Sequence, residues 1–526
     1  MMVEKWTQAI TAKVNSRWML LFTILFFFIA LNIYHNYLGL YDHVGKRPSS
    51  VHIWAQSARA SIALNYYRTD MNFFKPHIHK YLEGEGVTGL EFPLVNYVPA
   101  ILYKLFGFNE GYYRGFVLFT IVVGLLFFYL LLNSYIKNVF VSFGLILSAY
   151  CSPVMAFYSI NFMPDVTSLA FALIAWFFFF KFLKTEQIKK HFILFCVFAT
   201  LAALIKITSL ITIIAVMCLI ILDYTSYFKK QKNGRLFENK KKLLLYLTYS
   251  ILVVLAWYAY SFWLSKHSKT QSFTMQTALI TDVATAMEVL GRIMDDHIYE
   301  YYPYENYILY AGFIGVMIIG FKFVDRVLFT TFAIVTVGNL CFFYFLFYQF
   351  KDHDYYVIPI LTSVFLLILI FADILSKIRF NYFKWIYVVF LVILFFNLKE
   401  SIVLTKRDLD KRFDTAYIKY FDRSRPYDDL EPKLRKLGVL RTDRTLSGYE
   451  DGWCNSLYKM DQMGYTFTDT TRATRIDSLL TMHEFKYLVV SDSAKFSKVR
   501  PSSLKTEILT THRGLIVYKI KSIESK

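Results

Sequence analysis

Charge is scarce in this 526-residue chain. Only 18% of its residues are charged, and Asp and Glu together number 39 against 58 Lys and Arg. An ordinary soluble domain carries about 25% charged residues, so both a soluble globule and an acidic disordered segment are excluded. Cysteine is also rare. Cys151, Cys196, Cys218 and Cys341 lie in or beside apolar blocks and Cys454 stands alone in a polar tail, so the spacing offers neither a disulfide framework nor a zinc site. No small-residue cleavage site follows the first apolar stretch, which therefore reads as an uncleaved first span. There is no internal repeat and no nucleotide-binding α/β segment. What the chain does have is apolar bulk: 56% hydrophobic residues, with 52 Phe and 40 Tyr, gathered in long runs. A spanning helix needs about 20 such residues, so the chain reads as a polytopic membrane protein.

The candidate spans are Trp18–Tyr37, Phe116–Leu132, Val139–Ala156, Val166–Phe182, Phe192–Ile205, Ile207–Leu222, Leu243–Leu264, Tyr307–Phe321, Val327–Phe347, Val357–Leu375 and Trp385–Leu398. Phe192–Leu222 is ambiguous: as one helix it would run ~46 Å, too long for one span and short for two, with Lys206 at its midpoint. The positive-inside rule decides. If this block is a hairpin, the basic loop of Lys229, Lys230, Lys232, Arg235, Lys240, Lys241 and Lys242 falls on the side of Lys5, Lys13 and Arg17. Lys184, Lys189 and Lys190 then fall there too, as do Lys322 and Arg326, and Lys377, Arg379 and Lys384. The net charge of +19 thus orients helices against an anionic leaflet and does not point to nucleic acid. The expectation is about 11 transmembrane helices, with the N-terminus cytoplasmic. Residues 1–398 form the membrane domain, and 399–526 form a small extracytoplasmic α/β domain. In that domain Asp428–Leu437 reads as helix, and Tyr487–Val490 and Leu515–Lys521 as strands.

The first outer loop, Leu38–Gly115, is too long for a connector. Within it Val51–Tyr67 has helical period, with His52, Gln56 and Arg59 at i, i+4 and i+7. Such a helix lies along the membrane interface, its polar stripe facing either a cavity or solvent. Glu91 stands between Leu90 and Phe92, just before an apolar helix read over Pro93–Phe106. It either caps that helix, whose dipole favours a carboxylate there, or lines a site. Other ionisable residues fall at outer span ends: Asp165 after Met163-Pro164, Lys206 at the hairpin tip, and His353 in Lys351-Asp352-His353-Asp354-Tyr355-Tyr356. Each has a bland reading as a helix cap, a snorkelling lysine or an interface belt. Their convergence on one membrane face suits a substrate with an acidic head and a lipid tail.

These segments carry a resemblance. His52-Ile53-Trp54-Ala55-Gln56, Ala63-Leu64-Asn65-Tyr66-Tyr67, Gly89-Leu90-Glu91-Phe92-Pro93-Leu94 and Leu102-Tyr103-Lys104-Leu105-Phe106-Gly107 resemble the GT-C superfamily. So do Met163-Pro164-Asp165 and His353-Asp354-Tyr355-Tyr356-Val357-Ile358-Pro359. More narrowly, they resemble the bacterial membrane glycosyltransferases grouped with dolichyl-phosphate-mannose protein mannosyltransferases and the aminoarabinose transferase of lipid A (glycosyltransferase family 39-like). The resemblance covers about Trp18–Leu398. It implies a bacterial inner-membrane enzyme that moves a sugar, with inversion, from a polyprenyl-phosphate carrier to a glycan, lipid or protein acceptor outside the cytoplasm. It implies Glu91 and Asp165 in the cavity under the first loop, and Lys206 and His353 near the lipid phosphate. The chain departs from the family in two places. The interfacial helix begins with His52, Gln56 and Arg59 where an acidic residue is usual, Asp42 lying ten residues earlier, and Phe92 follows the loop glutamate where a lysine is found in the aminoarabinose enzymes.

Together these readings predict a glycosyltransferase with Asp165 or Glu91 as base. Lys206, His353 and Arg59 bind the donor phosphate, and His52, Gln56, Tyr355 and Tyr356 position substrate. No cofactor is required. Carboxylates and histidines are at hand for a divalent metal, but no spacing demands one. The rival class is a transporter or lipid-linked sugar flippase, which would show broken helices at the midplane. The topology makes its own prediction: alkaline phosphatase fused after Asp414 is active, and fused after Asp223 is inactive. The reverse pattern overturns the assigned orientation.

Overall fold

The computed structural model describes all residues except 1, 186–188, 226, 229–235, 270–279, 281, 378–379, 415–423, 450–452, 469–470, 472, 503 and 524–526. Of the basic residues used for topology, Lys229, Lys230, Lys232, Arg235 and Arg379 lie outside the described residues. The principal helices are α1 (Met2–Leu38), α2 (Ile53–Arg68), α3 (Leu94–Phe106), α4 (Glu110–Ile136), α5 (Val139–Tyr150), α6 (Pro153–Ser159), α7 (Asp165–Lys184) and α8 (Lys189–Ile205). They continue with α9 (Ile211–Leu222), α10 (Lys240–His267), α11 (Val283–Arg292), α12 (Tyr304–Ile319), α13 (Arg326–Phe345), α14 (Val357–Lys377) and α15 (Phe380–Phe413).

All eleven expected blocks are helical. Among the described residues seven helices are long and apolar enough to cross a membrane, or eight if the bent pair α5 and α6 is one span. The expected count of about 11 is therefore higher than the seven or eight found: α8, α9 and α12 have 17, 12 and 16 residues, at or below the lower end of the usual span length. The bend of 88° between α5 and α6 has a local cause. Ser152 accepts from Met155 N–H and Pro153 opens the next helix, a pairing that starts a new helix and cannot continue an old one. Asn109, Asn138 and Asp325 cap α4, α5 and α13 in the same way.

The ambiguous block does reverse. Lys189 sits over the Tyr246 ring and Tyr258 Oη reaches Leu204 O at 3.3 Å, so α8 runs parallel to α10. Asp223, just past α9, meets Lys240 at the start of α10 at 2.8 Å, so α9 runs back. Lys206 is the extended residue at the turn, before a 3₁₀ segment Ile207–Leu210. The loops assigned to the cytoplasm meet at one end of the bundle. Lys184 contacts Ser134 and stacks over Tyr135, and Lys377 binds Asp373 at 2.6 Å and the Phe323 carbonyl.

Helices α7 and α14 are the most enclosed, while α1, α10 and α15 turn apolar side chains such as Trp18, Leu252 and Phe395 outward. Close helix approach depends on small residues. A Cβ on Gly124 of α4 would lie 2.7 Å from Ala170 Cα of α7. At Gly89, in the first loop, a Cβ would lie 1.8 Å from Ser261 O of α10.

The tail forms a five-stranded mixed sheet, β1 (Thr445–Gly448), β2 (Gly464–Phe467), β3 (Tyr487–Val490), β4 (Leu504–His512) and β5 (Leu515–Ile523), in the order β2-β1-β3-β5-β4. β1 pairs parallel with β2 and β3, and β5 antiparallel with β3 and β4. Arg513 and Gly514, both at positive φ, turn β4 into β5, the backbone such hairpins need. The expected strands Tyr487–Val490 and Leu515–Lys521 and the helix within Asp428–Leu437 are present. Helix α15 runs unbroken across 398/399 to Phe413.

One element is decided by its packing. Helix α2, whose polar stripe was open to either a cavity or solvent, has thirteen of its sixteen residues buried, so the solvated alternative falls. The C-terminal domain covers it from the far side, a packing no local pattern could announce. Because Gly89 touches α10 backbone, Gly89→Ala should cost about 1–3 kcal/mol. A thermal midpoint equal to wild type in purified protein would show that the loop has room to shift.

Candidate active site

Glu91, Arg59 and Lys206 are brought together by three separate pieces of chain, and the start of α7 adds Asp165 as a fourth. The first is the loop before α3. Trp257 Nε1 and Ser261 Oγ of α10 donate to Leu90 O at 3.2 and 2.9 Å, and Ser265 Oγ accepts from Gly89 N–H. Phe92 N–H donates to Leu204 O at 3.0 Å. Pinned on both sides, Glu91 points inward. It does not cap α3, whose N-cap is Pro93 with no side-chain bond. Instead its Oε1 lies 2.7 Å from Arg59 Nη2 and 3.5 Å from Lys206 Nζ. The second piece is α2, which carries Arg59. The third is the α8–α9 turn, which carries Lys206, and whose ammonium also lies 3.1 Å from Asp165 Oδ1.

Lys206 is therefore not a snorkelling lysine: its side chain is 13% exposed and sits between two carboxylates. Asp165 is 1% exposed, opens α7 behind Pro164, and makes no capping bond. The rings of Tyr355 and Tyr356 stand 5.9 Å from Lys206 Nζ. Arg59, Glu91, Asp165, Lys206, Tyr355 and Tyr356 thus form one cluster. Burial pushes the Glu91 carboxyl up, but Arg59 and then Lys206 outweigh it and hold the group below the usual carboxylate range. Burial likewise opposes the charge on Arg59, and Glu91 more than restores it.

The other expected residues fall elsewhere. Gln56 Nε2 donates to Ser49 O and Val51 O, bracing the loop that leads into α2. His52 adopts positive φ and its Nε2 meets Asp354 Oδ1 at 3.1 Å. His353 stacks between His52 and Tyr356. Burial first, and His52 next, push His353 down to about 4. Its Nδ1 lies 3.0 Å from Gln349 O. A carbonyl only accepts, so Nδ1 carries the proton and Nε2 of the neutral ring is an acceptor.

Sequence reasoning passed over the centre of this second cluster. Asp354 accepts from Tyr158 Oη at 2.7 Å and from Arg412 Nη2 at 2.6 Å, besides His52. Arg412 also meets Glu300 at 2.8 Å. Asp354 lies inside a quoted motif, but Arg412 sits in a charge-rich helix end with nothing local to mark it. Arg114 was equally silent. Buried at 1% exposure, it donates to Lys46 O, Arg47 O and Ile160 O and ties the first loop to the turn before α7. Among the described residues no three His, Cys, Asp or Glu converge to hold a metal ion.

By fold the chain is similar to ArnT from Cupriavidus metallidurans, at TM-score 0.55 for the apo state and 0.56 for the form bound to undecaprenyl phosphate. Identity is 12% in both, over 94% of this chain and 97% of that one. It is also similar to the Archaeoglobus fulgidus oligosaccharyltransferase in complex with Zn and sulfate, at TM-score 0.52 and 10% identity over 85% of this chain and 64% of that one. No curated protein matches by sequence. The likeness to these solved structures is one of fold. Residues 91–260, which contain Glu91, Asp165 and Lys206, match the family described as dolichyl-phosphate-mannose-protein mannosyltransferase, and the resemblance read from the sequence stands.

Removing one partner of a buried ion pair costs about 3–5 kcal/mol, so Glu91→Gln should be less stable than wild type at pH 7. Glu91's depressed folded pKa fixes the sign of the pH dependence. Its contribution is fully present above the ordinary glutamate value of ~4.3 and disappears as pH falls through the lower folded value. Unfolding midpoints measured from about pH 7 to about pH 3 should therefore converge at the acid end. A constant gap between the two proteins would mean Glu91 is not held ionised by its neighbours.

Proposed function

We propose that the protein transfers a sugar from a polyprenyl-phosphate-linked donor to an acceptor hydroxyl, with inversion, on the extracytoplasmic face of a bacterial inner membrane. The observation that carries this reading is Lys206, held 3.1 Å from Asp165 and 3.5 Å from Glu91 where spanning helices end, with Arg59 against Glu91. Such a cluster is costly to bury and has the parts that glycosyl transfer from a phosphate needs. It is supported by the match of residues 91–260 and by the likeness to a fold solved with undecaprenyl phosphate.

In this reading Asp165 is the base. Glu91 pairs with two cations, which lower its basicity, whereas among the described residues Asp165 pairs with Lys206 alone. Asp165 takes the proton from the acceptor hydroxyl as that oxygen bonds to the anomeric carbon. The bond from this carbon to the phosphate oxygen breaks, and its electrons leave with the polyprenyl phosphate. Lys206 and Arg59 are placed where the leaving group's charge grows, and Glu91 keeps Arg59 aimed. His353, first assigned to the phosphate, fits the donor sugar better, because its free Nε2 accepts and a sugar hydroxyl donates. Tyr355 and Tyr356 wall the site beside Lys206.

Membranes given radiolabelled polyprenyl-phosphate sugar test this. Asp165→Asn should cut transfer by about a hundredfold or more, and Lys206→Ala should cut it comparably. Wild-type turnover in both Asp165→Asn and Glu91→Gln sinks the site assignment. Movement of the labelled lipid across the bilayer without covalent transfer favours the flippase.

A further inference from the structure

We infer that Asp461, in the C-terminal sheet domain, is a positioning residue for the Arg59–Glu91 pair, acting through His79 and Arg441 on the opposite face of α2. The inference rests on the reading of that pair as part of a donor site, and it gives the C-terminal domain a role in the site.

Residues i, i+4 and i+8 of a helix share a face. On α2 these are Ser57, Ser61 and Asn65, and each is tied outward. Ser57 Oγ donates to Asn455 Oδ1 at 2.7 Å. Ser61 Oγ lies 2.6 Å from His79 Nδ1, and His79 Nε2 lies 2.9 Å from Asp461 Oδ1. Asn65 Oδ1 accepts from Arg441 Nη2, while Arg441 Nε donates to the same Asp461 oxygen at 2.7 Å. Arg68, at the end of α2, reaches Asp461 Oδ2 at 3.4 Å. One carboxylate thus gathers three separate ties to a single helix.

The inner face of the same helix carries Arg59, whose backbone carbonyl accepts from Asn96 Nδ2 at 2.9 Å. Rotation or sliding of α2 would move the guanidinium off Glu91. Apolar packing of Ile62, Leu64 and Tyr66 beds the helix, but the face of Ser57, Ser61 and Asn65 carries only small and polar side chains. On that face the register is set by directional polar bonds, which specify one geometry. The adjoining loop strengthens the clamp: Tyr81 N–H donates to Gly464 O at 2.8 Å and Gly464 N–H to His79 O at 3.0 Å, so His79 is held from its backbone as well.

The test uses the full-length protein in nanodiscs with undecaprenyl phosphate as the probe, and follows α2 by amide hydrogen exchange without ligand. Asp461→Asn should weaken undecaprenyl phosphate binding about tenfold and speed exchange across 53–68. The unfolding midpoint should fall as well, because a largely buried ion pair is broken, and Asp461→Glu should recover most of both losses. Glu507→Gln, an equal charge change on an exposed strand of the same domain, should match wild type in both readouts. The double variant Asp461→Asn/His79→Gln should bind no worse than the weaker single variant, since both break one path. Wild-type affinity and wild-type exchange in Asp461→Asn overturn the inference. If that variant fails to fold, Ser61→Ala, which cuts the His79 path at α2, decides, and its wild-type exchange is equally fatal. A wild-type protein that does not bind undecaprenyl phosphate refutes the donor reading, and α2 exchange then decides the clamp on its own.

Discussion

A lysine ammonium buried where two spanning helices turn is the constraint around which this molecule is organised. Lys206 has left water, and a cation at that depth is tolerable only if opposite charge is brought to it. Asp165 and Glu91 supply that charge from two different parts of the chain. Each carboxylate in turn needs its own support. Glu91 draws Arg59 to 2.7 Å, which requires α2 to be present and in register. Asp165 requires α7 to begin at that point, which the turn through Asn161 and Pro164 arranges. The charge balance of the site is therefore also the reason the first loop folds inward.

This arrangement separates the molecule into two ends with different chemistry. At one end Lys377 meets Asp373, whose carboxylate also accepts from Asp325 N–H, close to the basic loops. At the other, charges are enclosed by aromatic walls and capped by a sheet domain. Between them α7 and α14 form the enclosed centre, and small residues such as Gly124 let the helices approach closely enough to bury it. The second cluster, Asp354 with Arg412, Tyr158 and His52, joins the last long helix to the turn that presents Tyr355 and Tyr356. The two clusters share the aromatic stack of His52, His353, Tyr355 and Tyr356, so neither can shift without the other.

Several single-residue expectations had ordinary alternatives, and packing chose among them. A capping role for Glu91 gives way because Pro93 occupies the cap and two cations stand nearer. Snorkelling by Lys206 gives way because the side chain is enclosed. A solvated polar stripe on α2 gives way because the C-terminal domain lies over it. For α2 the choice lay between a solvated and a cavity-facing polar stripe. In each case the local sequence is compatible with both readings, since a helix period or a flanking proline describes the backbone and not the neighbour across space.

What the sequence by itself determined is the set of helices, the hairpin at Lys206 and a shortlist of Arg59, Glu91, Asp165, Lys206, Tyr355 and Tyr356 together with His52, Gln56 and His353. These follow from apolar run length, charge asymmetry and motif order, all of which are written along one strand of chain. Only the tertiary structure decided that Gln56 braces a loop, that His353 offers an acceptor and not a charge, that Arg412 and Arg114 are buried hubs, and that the tail domain grips α2 through Asp461. Those facts depend on residues hundreds of positions apart meeting in a low-dielectric interior. There a hydrogen bond or ion pair is strong because water is excluded, and its partner leaves no trace in the local pattern.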